Sequence, residues 1–166
     1  IDPHKIVVSG DSAGGNMSAV IAQQVRGEEV VPALQLLFYP VTDLGSDTGS
    51  KREFASGFFL SKADMDYFID HYLTDLEQLT DPRVSPAFTE DLSGLPPAYI
   101  VVAGFDPLRD EAIAYAERLE SAGVPVTLRR AGGLLHGFAN MSLISPAARE
   151  EVAQAAAAVV AALPDA

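Results

Sequence analysis

The chain has 166 residues, 48% of them hydrophobic, which suits a globular domain with a sizeable core and excludes a disordered segment. It contains no Cys, so disulfides, thiolate catalysis and Cys-based metal sites are excluded, and the redox compartment stays open. A net charge of -12, from 23 acids and 11 bases, argues against sequence-independent nucleic-acid binding and against docking on anionic lipid, and favours neutral or cationic ligands.

No apolar run approaches the ~20 residues of a membrane span. The most apolar tail, Val152 to Leu163, is Ala-rich and interrupted by Gln154, so it reads as a packed helix. There is no N-terminal signal pattern, and the expected location is cytoplasmic. The chain opens with Ile1 rather than Met, which reads as a boundary left by processing. No repeat appears at solenoid or propeller periods.

In chain order, Lys5 to Ser9 is a short β-branched run ending at Gly10, the first predicted strand. A helix follows from Ala13 to Arg26, with Met17, Val20, Ile21 and Val25 at helical spacing. Ala33 to Tyr39 is a second strand, stopped by Pro40. The stretch from Thr42 to Leu95 is too long for a plain crossover. Within it, Thr42 to Arg52 reads as a polar loop. Ser61 and Asp64 form a capping pair for a helix to Leu73, whose stripe Met65, Phe68, Ile69, Tyr72 and Leu73 predicts a core-facing surface. Asp81 to Pro97, with four prolines, reads as a loop returning to the sheet. An insertion of this size beyond a strand's carboxyl end is a candidate lid.

Ala98 to Ala103 is a third strand. A helix from about Pro107 to Ala122 follows it, closed by Gly123. Val124 to Arg130 is a fourth and more polar strand. Ser145 as N-cap and Pro146 at the first helical position open a helix to Leu163. Strands alternating with helices imply parallel βαβ units and an α/β fold. Right-handed crossovers between neighbouring strands place the 13–26 helix, the insertion and the 107–122 helix on one face. Only the 145–163 helix is free to cover the other. The sheet is then half bare, and its first strand is an open apolar edge.

Gly10-Asp11-Ser12-Ala13-Gly14 fits G-x-S-x-G at a strand-to-helix turn. In that setting the turn lifts a serine hydroxyl clear of the sheet, and side chains two residues before and after it are expected to collide with neighbouring elements. The backbone N–H of Ala13 then becomes one oxyanion donor, aided by the helix dipole. The bland reading is a Gly-rich turn with an N-cap Ser.

A serine hydroxyl needs a base. The chain has three histidines. His4 precedes the first strand, at the wrong end of the sheet, and His71 lies on the insertion helix. His136 follows the fourth strand, at the carboxyl edge where Ser12 emerges and where α/β sheets hold ligands. The base needs an acid, in the chain order Ser, acid, His. Asp106 is the first acid beyond the third strand. Asp110 and Glu111 read as favourable first-turn acids of the following helix. Asp106 as merely that helix's N-cap is the competing reading.

These residues resemble the hormone-sensitive-lipase-like family of α/β-hydrolases, the bacterial carboxylesterases of the GDSAG type. The resemblance is carried by Gly10 to Asn16, by Phe38-Tyr39-Pro40-Val41-Thr42-Asp43, and by Gly57-Phe58-Phe59-Leu60-Ser61. It continues in Asp81-Pro82-Arg83-Val84-Ser85-Pro86, in Asp106-Pro107-Leu108-Arg109-Asp110-Glu111, and in His136-Gly137-Phe138. It implies hydrolysis of small-molecule esters with short to medium acyl chains through an acyl-enzyme on Ser12, Asp106 and His136. It implies no cofactor and no metal.

The chain also departs from the family. No HGGG oxyanion motif precedes the nucleophile, and the first four strands and the first part of the cap are missing. The expected fold is therefore the C-terminal half of an α/β-hydrolase, residues 1–166, with a cap insertion at about 44–85 and weak or no activity alone. The partner expected is the N-terminal half, as another segment or chain, or a homo-oligomer. Ala131-Gly132-Gly133 replaces a larger aromatic and an acid and is expected to loosen the loop holding His136. Phe58, Phe59, Leu108, Phe138 and Met141 are the candidate substrate pocket. The alternatives are a non-catalytic or small-molecule-binding protein on the same scaffold, and an amidase or formamidase with the same triad.

Overall fold

In the computed structural model, which describes residues 2, 3 and 5–163, four parallel strands lie side by side in chain order. They are β1 (Val7–Asp11), β2 (Leu34–Phe38), β3 (Ala98–Phe105) and β4 (Val126–Leu135). Aliphatic residues on both faces suit strands covered on both sides. Successive residues point to opposite faces, and two cores result. Leu37, Ile100 and Val102 pack on one face against Ala19 and against Ala112, Tyr115, Ala116 and Leu119. Leu36, Phe38, Tyr99, Val101 and Ala103 pack on the other against Ala148 and Ala155.

The helices supplying those contacts are α1 (Ala13–Gln24), α4 (Arg109–Ser121) and α5 (Pro146–Ala162); α2 (Gly49–Glu53) and α3 (Lys62–Tyr72) belong to the insertion. α1 and α4 share one face and α5 takes the other, as crossover handedness requires. Ser145 caps α5, its side chain accepting from the Ala148 N–H, with Pro146 in the first turn. α1 forms where its apolar spacing predicts but buries a different face. Gly15, Asn16, Ser18, Ala19 and Ala22 are buried, while Met17 and Ile21 stay 55% and 48% exposed. Small residues let the helix axis come close to the sheet. A Cβ on Gly15 would already press on the Pro40 ring.

The insertion differs most from expectation. The segment read as a loop to Arg52 closes into α2, capped by Thr48 accepting from the Lys51 N–H. α3 has the expected Ser61–Asp64 capping box, but none of its residues is buried. Its apolar stripe is not core: Phe68 and Tyr72 are 59% and 56% exposed. Short 3-10 turns at Leu76–Thr80 and Pro86–Phe88 return the chain to the sheet.

β4 runs longer than predicted. As β3 advances from Ala103 to Phe105, β4 advances from Ala131 to Leu135, so β4 bulges. Gly132 and Gly133 lie inside that strand rather than in a loose loop, and the Gly132 carbonyl presses so close to Gly104 that no side chain fits there. Among the described residues no helix is long and apolar enough to cross a membrane.

Tyr115 joins α4 to α1. It is fully buried, and its hydroxyl accepts from Gln23 Nε2 at 3.0 Å. Burial pushes its phenol up to about 12, above the ~10 of an exposed tyrosine. The folded chain thus keeps a proton that the unfolded chain loses, so this stabilisation is present below pH ~10 and lost as pH rises through about 12. Urea-unfolding stability is expected to fall more steeply between pH 10 and 12 than it does in Tyr115→Phe, measured by circular dichroism.

Candidate active site

Because the strands are parallel, each delivers its following residue to the same edge of the sheet. Ser12 follows β1, Tyr39 follows β2, and Asp106 follows β3. His136 follows β4.

Ser12 sits at φ 56°, ψ -118°, a conformation that L side chains rarely adopt. Its N–H donates to the Phe38 carbonyl at 2.9 Å, and its own carbonyl accepts from Asn16 and Val41 at 3.0 and 3.3 Å. The glycines around it have unequal duties. A Cβ on Gly10 would overlap the Gly14 carbonyl group, whereas one on Gly14 would meet open space. The expectation that both flanking positions exclude side chains therefore holds for Gly10 alone, and Gly15 carries the second close approach. Asn16 braces the turn from below, donating to the Val41 and Val84 carbonyls at 3.0 and 2.8 Å.

The Ser12 hydroxyl lies 2.9 Å from His136 Nε2, and His136 Nδ1 lies 2.7 Å from Asp106 Oδ2. An ionised carboxylate only accepts, so Nδ1 carries the proton. Nε2 is then left to accept from the hydroxyl. Asp106 is fully buried and His136 is 6% exposed. Asp106 is not the N-cap of α4, a place taken by Leu108, but its Oδ1 accepts from the Leu108 N–H at 2.8 Å in the turn that leads into the helix. The two roles are held by different oxygens of one carboxylate.

Asp110 and Glu111, read from sequence as first-turn acids, are anchors of the insertion. Asp110 accepts from the Ser50 N–H at 2.7 Å. Glu111 is buried. Its Oε1 accepts from the N–H groups of Thr42 and Asp43, and its Oε2 accepts from Ser46 and from Lys51 Nζ at 2.6 Å. Burial pushes the Glu111 carboxyl up, against the pull of Lys51 and the two N–H donors. Sequence offered no sign of this pair, since its members lie far apart in the chain and look like ordinary surface charges.

A cavity of about 1390 Å³ opens over Ser12 and Ala13. Its walls include Met17, Leu44, Met65, Phe68, Ile69 and Tyr72. The α3 stripe expected to face the core thus lines this space instead. The same period-3.6 pattern describes a helix face turned to a core or to a ligand cavity. Of the pocket candidates, Leu108 alone is in the lining. Phe138 is buried in the α5-side core, and Met141 closes the 3-10 turn after His136. Phe58 stacks on Phe105 with ring centroids 5.7 Å apart. Phe59 is 71% exposed at φ 71°, with its ring edge against Gly137. His71 is exposed on α3 with Nδ1 against the Tyr67 carbonyl, and His4 lies outside the described residues. Among the described residues no group of three or more His, Cys, Asp and Glu could hold a metal ion.

The α/β hydrolase fold family matches residues 1–140. The carboxylic ester hydrolase LipN of Mycobacterium tuberculosis is 50% identical over 145 residues, which cover 84% of this chain and 39% of LipN. The carboxylesterase NlhH of the same organism is 42% identical over 167 aligned positions, covering 98% of this chain and 52% of NlhH. The crystal structure of EstE1, a thermophilic and thermostable carboxylesterase cloned from a metagenomic library, superposes with a TM-score of 0.94 at 39% identity. That match covers 98% of this chain and 56% of EstE1. The chain therefore spans about half the length, or less, of the relatives it matches.

The two motif glycines separate by experiment. Gly10→Ala is expected to destabilise the fold by about 1–3 kcal/mol through overlap with the Gly14 backbone. Gly14→Ala is expected to leave stability unchanged or raise it by up to ~1 kcal/mol through helix propensity. Urea denaturation of the two variants beside the parent chain measures both.

Proposed function

The chain belongs to the α/β hydrolase fold family, and from that premise we propose that it is the nucleophile-bearing, C-terminal half of a serine carboxylesterase. In this reading residues 1–166 are a partial catalytic domain with a cap insertion at about 44–85. The observation that carries it is the hydrogen-bonded chain from Ser12 Oγ through the imidazole of His136 to Asp106. Each residue type is suited to its place. The imidazole accepts the hydroxyl proton at Nε2, and the buried carboxylate stabilises the imidazolium that results.

The reaction runs in two halves. Ser12 Oγ attacks the acyl carbon as His136 Nε2 takes its proton, and the carbonyl oxygen becomes an oxyanion facing the Ala13 N–H at the start of α1. Collapse breaks the bond to the alcohol, which leaves with the proton from Nε2. Water, deprotonated by His136, then attacks the acyl-serine; the acyl–Oγ bond breaks, Nε2 returns the proton to Ser12 Oγ, and the acid is released. No cofactor enters. The substrates proposed are esters of short to medium acyl chain, lodged in the apolar cavity beside Ser12. The similarity to carboxylesterases supports ester over amide chemistry.

The remaining oxyanion donors are proposed to come from an N-terminal part of the fold, in a preceding segment or a second chain. One missing donor costs about 10²–10³ in rate. Accordingly the 166-residue chain is expected to hydrolyse p-nitrophenyl acetate or butyrate only weakly. A fluorophosphonate is expected to add to Ser12 as a single mass increment, absent in Ser12→Ala and slowed about 10³-fold or more in His136→Ala. Label on another residue, or label retained in Ser12→Ala, would sink the assignment.

A further inference from the structure

His136 directly follows β4, whose pairing with β3 runs to Leu135. Gly132 and Gly133 precede it without side chains, and Gly137 follows at φ 77°. The imidazole is held from three sides. Ser12 and Asp106 supply two of them. The third is a network that leads back to the residue just before the nucleophile.

Asp11, the last residue of β1, places its carboxylate Oδ2 to accept from the Tyr39 hydroxyl at 3.3 Å and from Asn140 Nδ2 at 3.2 Å. The Tyr39 hydroxyl in turn accepts from the Ala139 N–H at 3.2 Å. Asn140 closes the turn by donating its own N–H to the Gly137 carbonyl at 3.1 Å. The Tyr39 ring packs on the imidazole with centroids 4.7 Å apart and against Phe138 at 5.1 Å. One carboxylate thus joins the ends of β1, β2 and β4. Burial, and next the neighbouring Asp11, raise the Tyr39 phenol, so it keeps the proton with which it donates. Tyr39 is itself in a rare conformation, φ 35°, fixed by its N–H donating to the Val101 carbonyl at 2.6 Å. Asp11 is not a rival acid for the imidazole, because Nδ1 already meets Asp106.

We propose that Asp11 and Tyr39 are positioning residues for His136. Asp11, acting through the Tyr39 hydroxyl and the Asn140 amide, pins the 137–141 turn, and the Tyr39 ring holds the imidazole between Ser12 and Asp106. The catalytic consequence rests on the serine-esterase reading; the pinning of the turn does not. Asp11→Asn keeps an acceptor oxygen for both donors, whereas Asp11→Ala removes it. Tyr39→Phe keeps the ring and removes the hydroxyl link.

The test measures two things on the 166-residue chain and its variants. The first is amide hydrogen exchange at Ala139 and Asn140. The second is the rate of fluorophosphonate addition to Ser12 across reagent concentration. Asp11→Ala and Tyr39→Phe are each expected to speed Ala139 exchange about tenfold or more. Each should also lower the maximal addition rate about tenfold with the half-saturating concentration unchanged. Asp11→Asn is expected to restore both to within about threefold of the parent. The double variant Asp11→Ala/Tyr39→Phe should be no worse than the poorer single one, as for two links of one chain. Unchanged Ala139 exchange in both Asp11→Ala and Tyr39→Phe overturns the proposal, as does an Asp11→Asn variant as impaired as Asp11→Ala. If the parent chain takes no label while exchange follows the expected pattern, the serine-esterase reading fails and the positioning network stands.

Discussion

The carboxylate of Asp106 is the joint on which the site is assembled. It is fully buried at the end of β3, where a charge is tolerated only if its oxygens are engaged. One oxygen takes the Leu108 N–H in the turn that leads into α4; the other takes the imidazole. The lead-in to a helix and the orientation of a histidine are therefore tied to one side chain. The turn of α4 that begins there also carries Asp110 and Glu111, which hold the insertion through Ser50, Thr42, Asp43, Ser46 and Lys51. The cavity wall is thus hung on the same turn that fixes the imidazole.

The sheet makes this possible. Parallel pairing in sequential order puts the carboxyl ends of all four strands along one edge, at the spacing of neighbouring strands. Residues as far apart in the chain as Ser12 and His136 meet because their strands have been placed, without either needing a partner near it in sequence. The Lys51–Glu111 pair illustrates the opposite economy. Its burial costs desolvation, which the pair's own attraction offsets only with help from the Thr42 and Asp43 N–H groups. The return is definition: the chain leaving β2 is tied to α4 rather than left to drift over the cavity.

Much of this was legible in the residues. Strand and helix order followed from apolar runs and from caps such as Ser145-Pro146 and Ser61–Asp64, because those signals act within a few residues. The convergence of Ser12, Asp106 and His136 could be reasoned from strand ends and chain order. What resisted reading was the destination of side chains. The α3 stripe has core periodicity, yet Phe68 and Tyr72 face a cavity, since periodicity records that a face is apolar and not what covers it. Met17 and Ile21 mark α1 as a helix, but close approach to the sheet selected the Gly15–Ala19–Ala22 side. Phe138 and Met141 neighbour the site in sequence and turn away from its cavity, because the 3-10 turn after His136 directs them elsewhere. Glu111, Asp11 and Tyr39 act through contacts across 28 to 129 positions of chain, which no local pattern encodes.

Among the described residues, the non-glycine positions with positive φ are Ser12, Tyr39 and Phe59. All three surround one imidazole. Ser12 hydrogen-bonds it, Tyr39 packs its ring on it, and Phe59 lays its ring edge on Gly137 beside it. Each such conformation costs about 1–3 kcal/mol and persists only where neighbours over-determine it. At Ser12 the constraint is the close approach of Gly10 and Gly14 and the bond to Phe38; at Tyr39 it is the bond to Val101 and the links to Asp11 and Ala139. Among the described residues, strain of this kind is thus gathered around a single point, the imidazole of His136.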